Sequence, residues 1–360
     1  MQTPIAGSAP AVGIVKGIRK LFSYRETTLV LMIGLMFAVM PFFSPVFTTQ
    51  KNIIATLLNV ATKGIVGIGV TIILISGAID LSVGAVVALI CSVFGRVYLS
   101  SGNLMLGTLA AAAAALICGF VNGFLVTKCR LSAFIATLAS MGICRGITFV
   151  LTKGTPIKLT SLPEGYRILG EGTLFNIPYV VILFLILALA AHIMMKKSKA
   201  LRQNVYVGSN EKAARFSGVR TNKVVLLTYV LVGILCWIAA QMSVARFLTA
   251  SPSYGVGWET ELIAAAVIGG ATLTGGEGSI IGTSLGLILL GFVDSAIVLL
   301  GVSVYWQDLI GNIILLAAVL LDAFVESRKQ KESMKSSLKN IGASLLSNRV
   351  TEIKEKEKKV

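Results

Sequence analysis

Apolar runs of about 20 residues, the length needed to cross the hydrocarbon core of a bilayer, recur along this 360-residue chain from Leu29 to Val325. Backbone amides facing lipid must be satisfied within their own segment, so repeated runs of this length specify a helical bundle rather than a barrel. The fold class expected is therefore all-α: a polytopic transmembrane bundle of about ten spans. The apolar runs place these spans at residues 28–47, 53–76, 79–98, 104–127, 131–152, 175–195, 224–246, 260–275, 278–300 and 302–325. The first is long and lacks a small-residue cleavage site, which makes it an uncleaved helix rather than a signal sequence. The eighth is short and rich in Ala and Gly, and it either spans or dips in and returns.

Only 13% of the residues are charged, yet the formal net charge is +16. The distribution explains the excess. Four of the 32 Lys and Arg precede the first span, two flank Cys129, eight lie between Lys196 and Lys223, and ten follow Val325. In a ten-span arrangement these groups fall on one side, and the surplus of basic residues in cytoplasmic loops makes that side the cytoplasm. Both termini are then cytoplasmic, with an N-terminal segment 1–27, a permease domain 28–325 containing a large cytoplasmic loop 196–223, and a basic tail 326–360. The charge is a topology signal, and no nucleic-acid partner is expected.

Five cysteines without a C-x-x-C pair and one histidine, His192, near a span end indicate neither a disulfide framework nor a metal site. No G-x-x-x-x-G-K-[ST] loop occurs, so the chain is not expected to bind or hydrolyse ATP itself or to be an enzyme. Gly119 and Gly123, Gly142 and Gly146, and Gly278, Gly282 and Gly286 are spaced four apart. Small residues on one helix face let backbones approach closely in a membrane.

Charged residues in or beside spans are functional candidates. Asp80 stands where the second span turns into the third, placed either to cap the amides of Leu81, Ser82 and Val83 or to contact a solute. Glu259 and Glu261 open the eighth span, where a helix-dipole role applies. Asp294 and Asp308 lie in the last two spans. Lys63 and Arg145 call for carboxylate or carbonyl partners. Residues 76–84 (SGAIDLSVG) and 269–276 (GGATLTGG) resemble each other, and each ends an inward-going span, which suggests a duplicated turn. In the cytoplasmic loop, Ser209 or Asn210 can cap a short helix that Glu211 opens and Gly218 ends, presenting Ala213, Ala214 and Phe216 for docking.

These residues resemble the membrane subunits of ribose-type sugar importers of the ATP-binding-cassette class. The resemblance runs from Phe47 to Asp322 and rests on residues 75–84, on Ala133-Phe134-Ile135-Ala136-Thr137-Leu138 followed by Arg145-Gly146, and on residues 208–218. It continues through residues 263–270, Gly275-Gly276-Glu277-Gly278 and residues 300–307. It implies a multi-pass protein of the bacterial cytoplasmic membrane that moves a monosaccharide inward. It implies a second permease subunit, cytoplasmic ATPase subunits that carry the ATP, and an extracytoplasmic sugar-binding protein. The ATPase-coupling helix then falls on Gly208, Ser209, Asn210, Glu211, Ala213, Ala214 and Gly218. Gly77, Asp80, Ser82, Gly84, Gly270, Gly275 and Gly276 form the turn or gating motif, and Asn122, Phe134, Thr137 and Asp294 are translocation-path candidates. Two departures stand out: Ala78 where relatives commonly have Gly, and Asp294-Ser295 where they commonly have an Asn pair. A proton-coupled secondary transporter using Asp80 or Asp294 is the competing reading.

Overall fold

A computed structural model describes residues 25–303 and scattered positions from 306 to 320. The segment 1–24, most of the tenth apolar run with Asp308, and the tail 326–360 lie outside the described residues. Among the described residues up to 303 there are twelve α-helices: α1 (Arg25–Val39), α2 (Gln50–Ile75), α3 (Val83–Ser101), α4 (Leu104–Thr127), α5 (Ala133–Thr152), α6 (Glu164–Glu171), α7 (Tyr179–Lys197), α8 (Lys199–Ser209), α9 (Glu211–Phe216), α10 (Thr221–Phe247), α11 (Trp258–Ile268) and α12 (Ile280–Leu299). Seven of them (α2, α3, α4, α5, α7, α10 and α12) are long and apolar enough to cross a membrane. The first run is shorter than expected. Its helix ends at Val39 and breaks into 3-10 turns at Met40–Phe42 and Pro45–Thr48, each with Pro at its start.

The axis of the bundle is α2. From Val60 to Ile75 all its residues but Lys63 are buried, and α7, α10, α11 and α12 pack around it. Its contacts are made close by small residues and threonines: Gly64 faces the ring of Phe184, and the Thr71 hydroxyl donates to the Gly67 carbonyl (2.7 Å) and pairs with Thr283 Oγ1 (2.9 Å). On the other side α4 lies against α10. A Cβ on Gly119 would stand 2.6 Å from the Tyr229 carbonyl oxygen, and one on Gly123 would stand 3.0 Å from Leu226 Cα. This pair performs the close packing its spacing predicts. The pair Gly142 and Gly146 does not: a Cβ on either would meet no atom of another described element within 4 Å.

Two two-stranded ribbons lie in the connections. The strand β1 (Ile157–Lys158), after α5, pairs antiparallel with β4 (Thr249–Ala250), after α10, in the register Ile157 to Ala250 and Lys158 to Thr249. Strands β2 (Thr173–Leu174) and β3 (Ile177–Pro178) form the other. The β1/β4 ribbon and α9 sit at opposite ends of the 27-residue α10. They mark the two faces of the bundle.

The eighth apolar segment is not a continuous helix. Helix α11 has 11 residues, about 16 Å of rise, and crosses only half a bilayer. It is preceded by irregular backbone at 251–257, which descends from the β1/β4 ribbon, and followed by a turn at 269–279 on the α9 side. Non-helical backbone at membrane depth is tolerated only where the protein satisfies it. Arg145, midway along α5, does so by donating to the carbonyls of Pro252 (2.6 Å) and Tyr254 (2.9 Å).

Candidate functional site

Three glycine-bearing segments meet on the α9 face. At the end of α2, Gly77 takes up φ +79°; the turn after α11 holds Gly275 at φ +88° and Gly276 at φ +84°, backbone that side chains rarely adopt. The Gly276 amide donates to the Ile75 carbonyl (2.8 Å). A Cβ on Gly275 would stand 2.7 Å from Gly77 Cα and 3.1 Å from Gly208 Cα, and one on Gly276 would stand 2.5 Å from Ser209 Oγ. Gly208 is pressed against the Ile75 carbonyl and the Gly276 amide. The two segments that resemble each other in sequence therefore touch, and the last turn of α8 sits on both. Backbone against backbone leaves no side chain to absorb a displacement.

From this contact the chain continues into α9. Asn210 Oδ1 caps it by accepting from the Ala213 amide (2.9 Å), Glu211 accepts from Arg215 (3.2 Å) and Thr221 (3.1 Å), and Gly218, at φ +83°, ends the turn. Ser209 instead donates back to the Val205 carbonyl (2.8 Å). Ala213 and Phe216 are exposed, Phe216 at 92%. Ala214 is not: it is 6% exposed and packs against Val207 and Val224 of its own chain. A helix of six residues presents only one outward stripe, so Ala213 and Ala214 cannot both face a partner.

Deeper in the bundle, Asp80 is buried rather than poised at an exposed helix end. Its Oδ1 accepts from the Ser82 amide (2.8 Å) and the Ser82 hydroxyl (2.6 Å), and Ser82 Oγ accepts from Asn122 Nδ2 (2.8 Å). Of the three amides expected to be capped, only that of Ser82 is. The Leu81 amide donates to Thr137 Oγ1 (3.1 Å), and the Tyr229 hydroxyl donates to the Ile79 carbonyl (2.9 Å). The irregular segment 76–82 is thereby tied to α4, α5 and α10, with Asn122 Oδ1 buried and unpartnered among the described residues. One turn on, Gly84 is packed against the Gly255 carbonyl, which joins this segment to the other irregular one. Asn122 and Thr137 thus belong to the Asp80 node, whereas Phe134 is 52% exposed on the outer face of α5. Gly270, at φ +103°, forms the start of the turn after α11.

The opposite half of the molecule holds a cavity of about 520 Å³ between α2, α11, α12 and the end of α10. Asp294, Asn52, Asn59, Lys63, Arg246 and Glu261 line it. Lys63 stands midway along the 26-residue α2, so the cavity reaches from the β1/β4 end to about mid-depth. Its polar groups are held in pairs: Lys63 Nζ with Glu261 (2.7 and 2.5 Å), Arg246 Nη1 donating to Asn59 Oδ1 (3.1 Å), and Ser295 Oγ donating to Asn52 Oδ1 (3.0 Å). Tyr254 and Trp258 add aromatic surface. A few fixed polar groups with aromatic faces make a site that grips a small polar solute. Glu261 is therefore an ion-pair partner, beyond the dipole role its position in the first turn of α11 suggests.

Most of this lining went unread in the sequence. The available signal was the spacing of Asn52, Thr56, Asn59 and Lys63, four polar residues on one face of an otherwise apolar helix. Among the described residues no three His, Cys, Asp or Glu side chains come together as metal ligands.

The family described as "Branched-chain amino acid transport system / permease component" matches residues 52–319. The ribose import permease protein RbsC of Escherichia coli (strain K12) is 37% identical over 287 residues, 79% of this chain and 89% of that protein. RbsC of Bacillus subtilis (strain 168) is 34% identical over 284 residues, 79% and 88% of the two chains. The L-arabinose ABC transporter permease protein AraH of Azospirillum brasilense is 30% identical over 333 residues, 92% and 96% of the two. No solved structure matches the chain. The chain is a multi-pass membrane protein and belongs to this permease-component family of transport systems.

Proposed function

We propose that the chain is the permease subunit of an ATP-binding-cassette importer that carries a monosaccharide inward across the bacterial cytoplasmic membrane. The observation that carries the reading is the half-depth cavity, whose paired amides, charges and aromatic faces suit a polyhydroxylated solute, in a chain similar to ribose and arabinose permeases. A cavity that runs from the β1/β4 end to about mid-depth fits an outward-facing state.

The excess of Lys and Arg in the loops of the α9 face supports an orientation with that face and both termini in the cytoplasm. On this orientation the full count is ten crossings, the eighth being the discontinuous one and the tenth lying in residues 302–325. Exposed Phe216 and Ala213 are the contact for a cytoplasmic ATPase. ATP-driven movement of α9 passes through Gly208 to the turns at Gly77 and Gly275, and on through the Gly84–Gly255 contact to segment 251–257, which lines the cavity. A second permease subunit and an extracytoplasmic sugar-binding protein complete the assembly.

The test is uptake by the assembled transporter in proteoliposomes, with radiolabelled D-ribose, L-arabinose and L-leucine offered separately. ATP-dependent accumulation of a pentose is expected. Uptake of leucine without either sugar, or sugar uptake driven by a proton gradient without ATP, overturns the reading.

A further inference from the structure

The α9 face carries a second cavity that the transport reading does not use. About 690 Å³ in volume, it lies between the end of α4 with the residues after it and the connection leading into α10. Lys128 and Arg130 reach it from the first, Arg215 from α9, and Arg220 and Lys223 from the second. Among the described residues no carboxylate lines it, and the nearby Glu211 is paired with Arg215 and Thr221. Five like charges brought together by two separate connections, at the N-terminal end of a 27-residue helix, make a strongly anion-attracting hollow.

Its height and its continuation decide what the anion is. Helix α4 ends at Thr127 and α10 begins at Thr221, so the cations stand where two apolar spans leave the bilayer. A further groove of about 380 Å³, between α8 and α10, shares Arg220 and Lys223 with the cationic cavity. It is lined mostly by apolar side chains, Leu201, Val224, Leu227 and Leu231, together with Gln203, Asn204 and Thr228, the last two paired with each other (2.7 Å). Leu231 is ten residues into α10, so the groove climbs about 15 Å along the span. A soluble anion or a soluble partner protein has no use for an apolar groove at that depth. An amphiphile with an anionic head does.

We propose that this paired hollow binds an anionic phospholipid from the leaflet on the α9 side, its phosphate among Lys128, Arg130, Arg220 and Lys223 and an acyl chain along Leu227 and Leu231. The site stands beside the connection that follows α9, so an occupied headgroup pocket steadies the base of the coupling helix. The assignment does not depend on which solute is carried.

The test uses the full chain in a neutral detergent, with retention of phosphatidylglycerol and phosphatidylcholine of matched acyl chains followed by native mass spectrometry. Phosphatidylglycerol should be retained at least about tenfold better. Each cation near a membrane surface contributes roughly a fivefold preference. R220Q/K223Q removes two of the four cations and should therefore lower the selectivity by about 25-fold, whereas R220K/K223R, which tests the fold, and K196Q/K197Q, outside the cavity, should keep it. Four results overturn the proposal: equal retention of the two lipids by the unaltered chain, selectivity unchanged in R220Q/K223Q, displacement of phosphatidylglycerol by low-millimolar glycerol phosphate (a free-anion site), or its displacement when the ATPase subunit binds (a protein interface).

Discussion

The amide of Gly276 donates to the carbonyl of Ile75 at 2.8 Å, joining the turn after α11 to the end of α2 across 200 residues of chain. Gly208 is packed onto this bond from the end of α8. The segment proposed to couple to an ATPase thus bears on the ends of α2 and α11 at a single backbone junction.

That junction should not accept a methyl group. Gly275→Ala forces both a positive φ and a 2.7 Å approach to Gly77 Cα, and overpacking of this kind costs about 1 to 3 kcal/mol. We expect a lower unfolding temperature in detergent and ATP hydrolysis that no longer drives transport. Gly142→Ala has open space within the chain and a better helix former, so the isolated subunit should be as stable or up to about 1 kcal/mol more so.

The two alanines of α9 should behave oppositely. Ala214→Trp must displace Val207 and Val224, so it should lower the yield of folded permease. Ala213→Trp, on the exposed face, should leave yield and unfolding temperature unchanged while reducing capture of the ATPase subunit. Equal capture by wild type and Ala213→Trp would remove Ala213 from the docking surface.

At Asp80, the carboxylate oxygen accepts both the amide and the hydroxyl of Ser82. Asn retains an oxygen acceptor for both Ser82 donors, whereas Ala leaves two buried donors unsatisfied at about 1 to 3 kcal/mol each. Asp80→Asn should therefore fold and transport, and Asp80→Ala should unfold at a lower temperature. A variant Asp80→Asn that is stable but inactive would instead assign the charge itself a part in transport.

The Lys63–Glu261 pair stands at mid-depth with about a fifth of each side chain exposed. Removing one partner leaves a charge poorly solvated, so Lys63→Met and Glu261→Gln should each reduce transport and stability. The double variant should recover about 1 kcal/mol relative to the sum, measured as a double-mutant cycle on unfolding in detergent. Strict additivity would show that the pair is not coupled.

Orientation is open to direct measurement. In a Cys129→Ser background, which removes the exposed native thiol, a cysteine at Lys212 should react with an impermeant reagent only from the cytoplasmic side. One at Lys153 should react only from outside. The reverse pattern would invert the bundle.

The linear sequence determined the solvent, the fold class and the register of most spans, because length and hydropathy are local properties: α2, α4, α5, α10 and α12 fall within a few residues of their apolar runs. It also determined local caps such as Asn210 on Ala213, which need only a three-residue separation. Partners in space were another matter. Lys63 and Glu261 are 198 residues apart, and nothing in either neighbourhood names the other. In lipid no hydrophobic drive sorts one apolar helix face from another, so pairing depends on which small residues let backbones approach. Equal spacing did not reveal that Gly119 and Gly123 are filled by α10 while Gly142 and Gly146 lie open within the chain. The irregular course at 251–257 was hidden for the same reason: its carbonyls are satisfied by Arg145, more than 100 residues away, and only the assembled bundle brings that guanidinium to them.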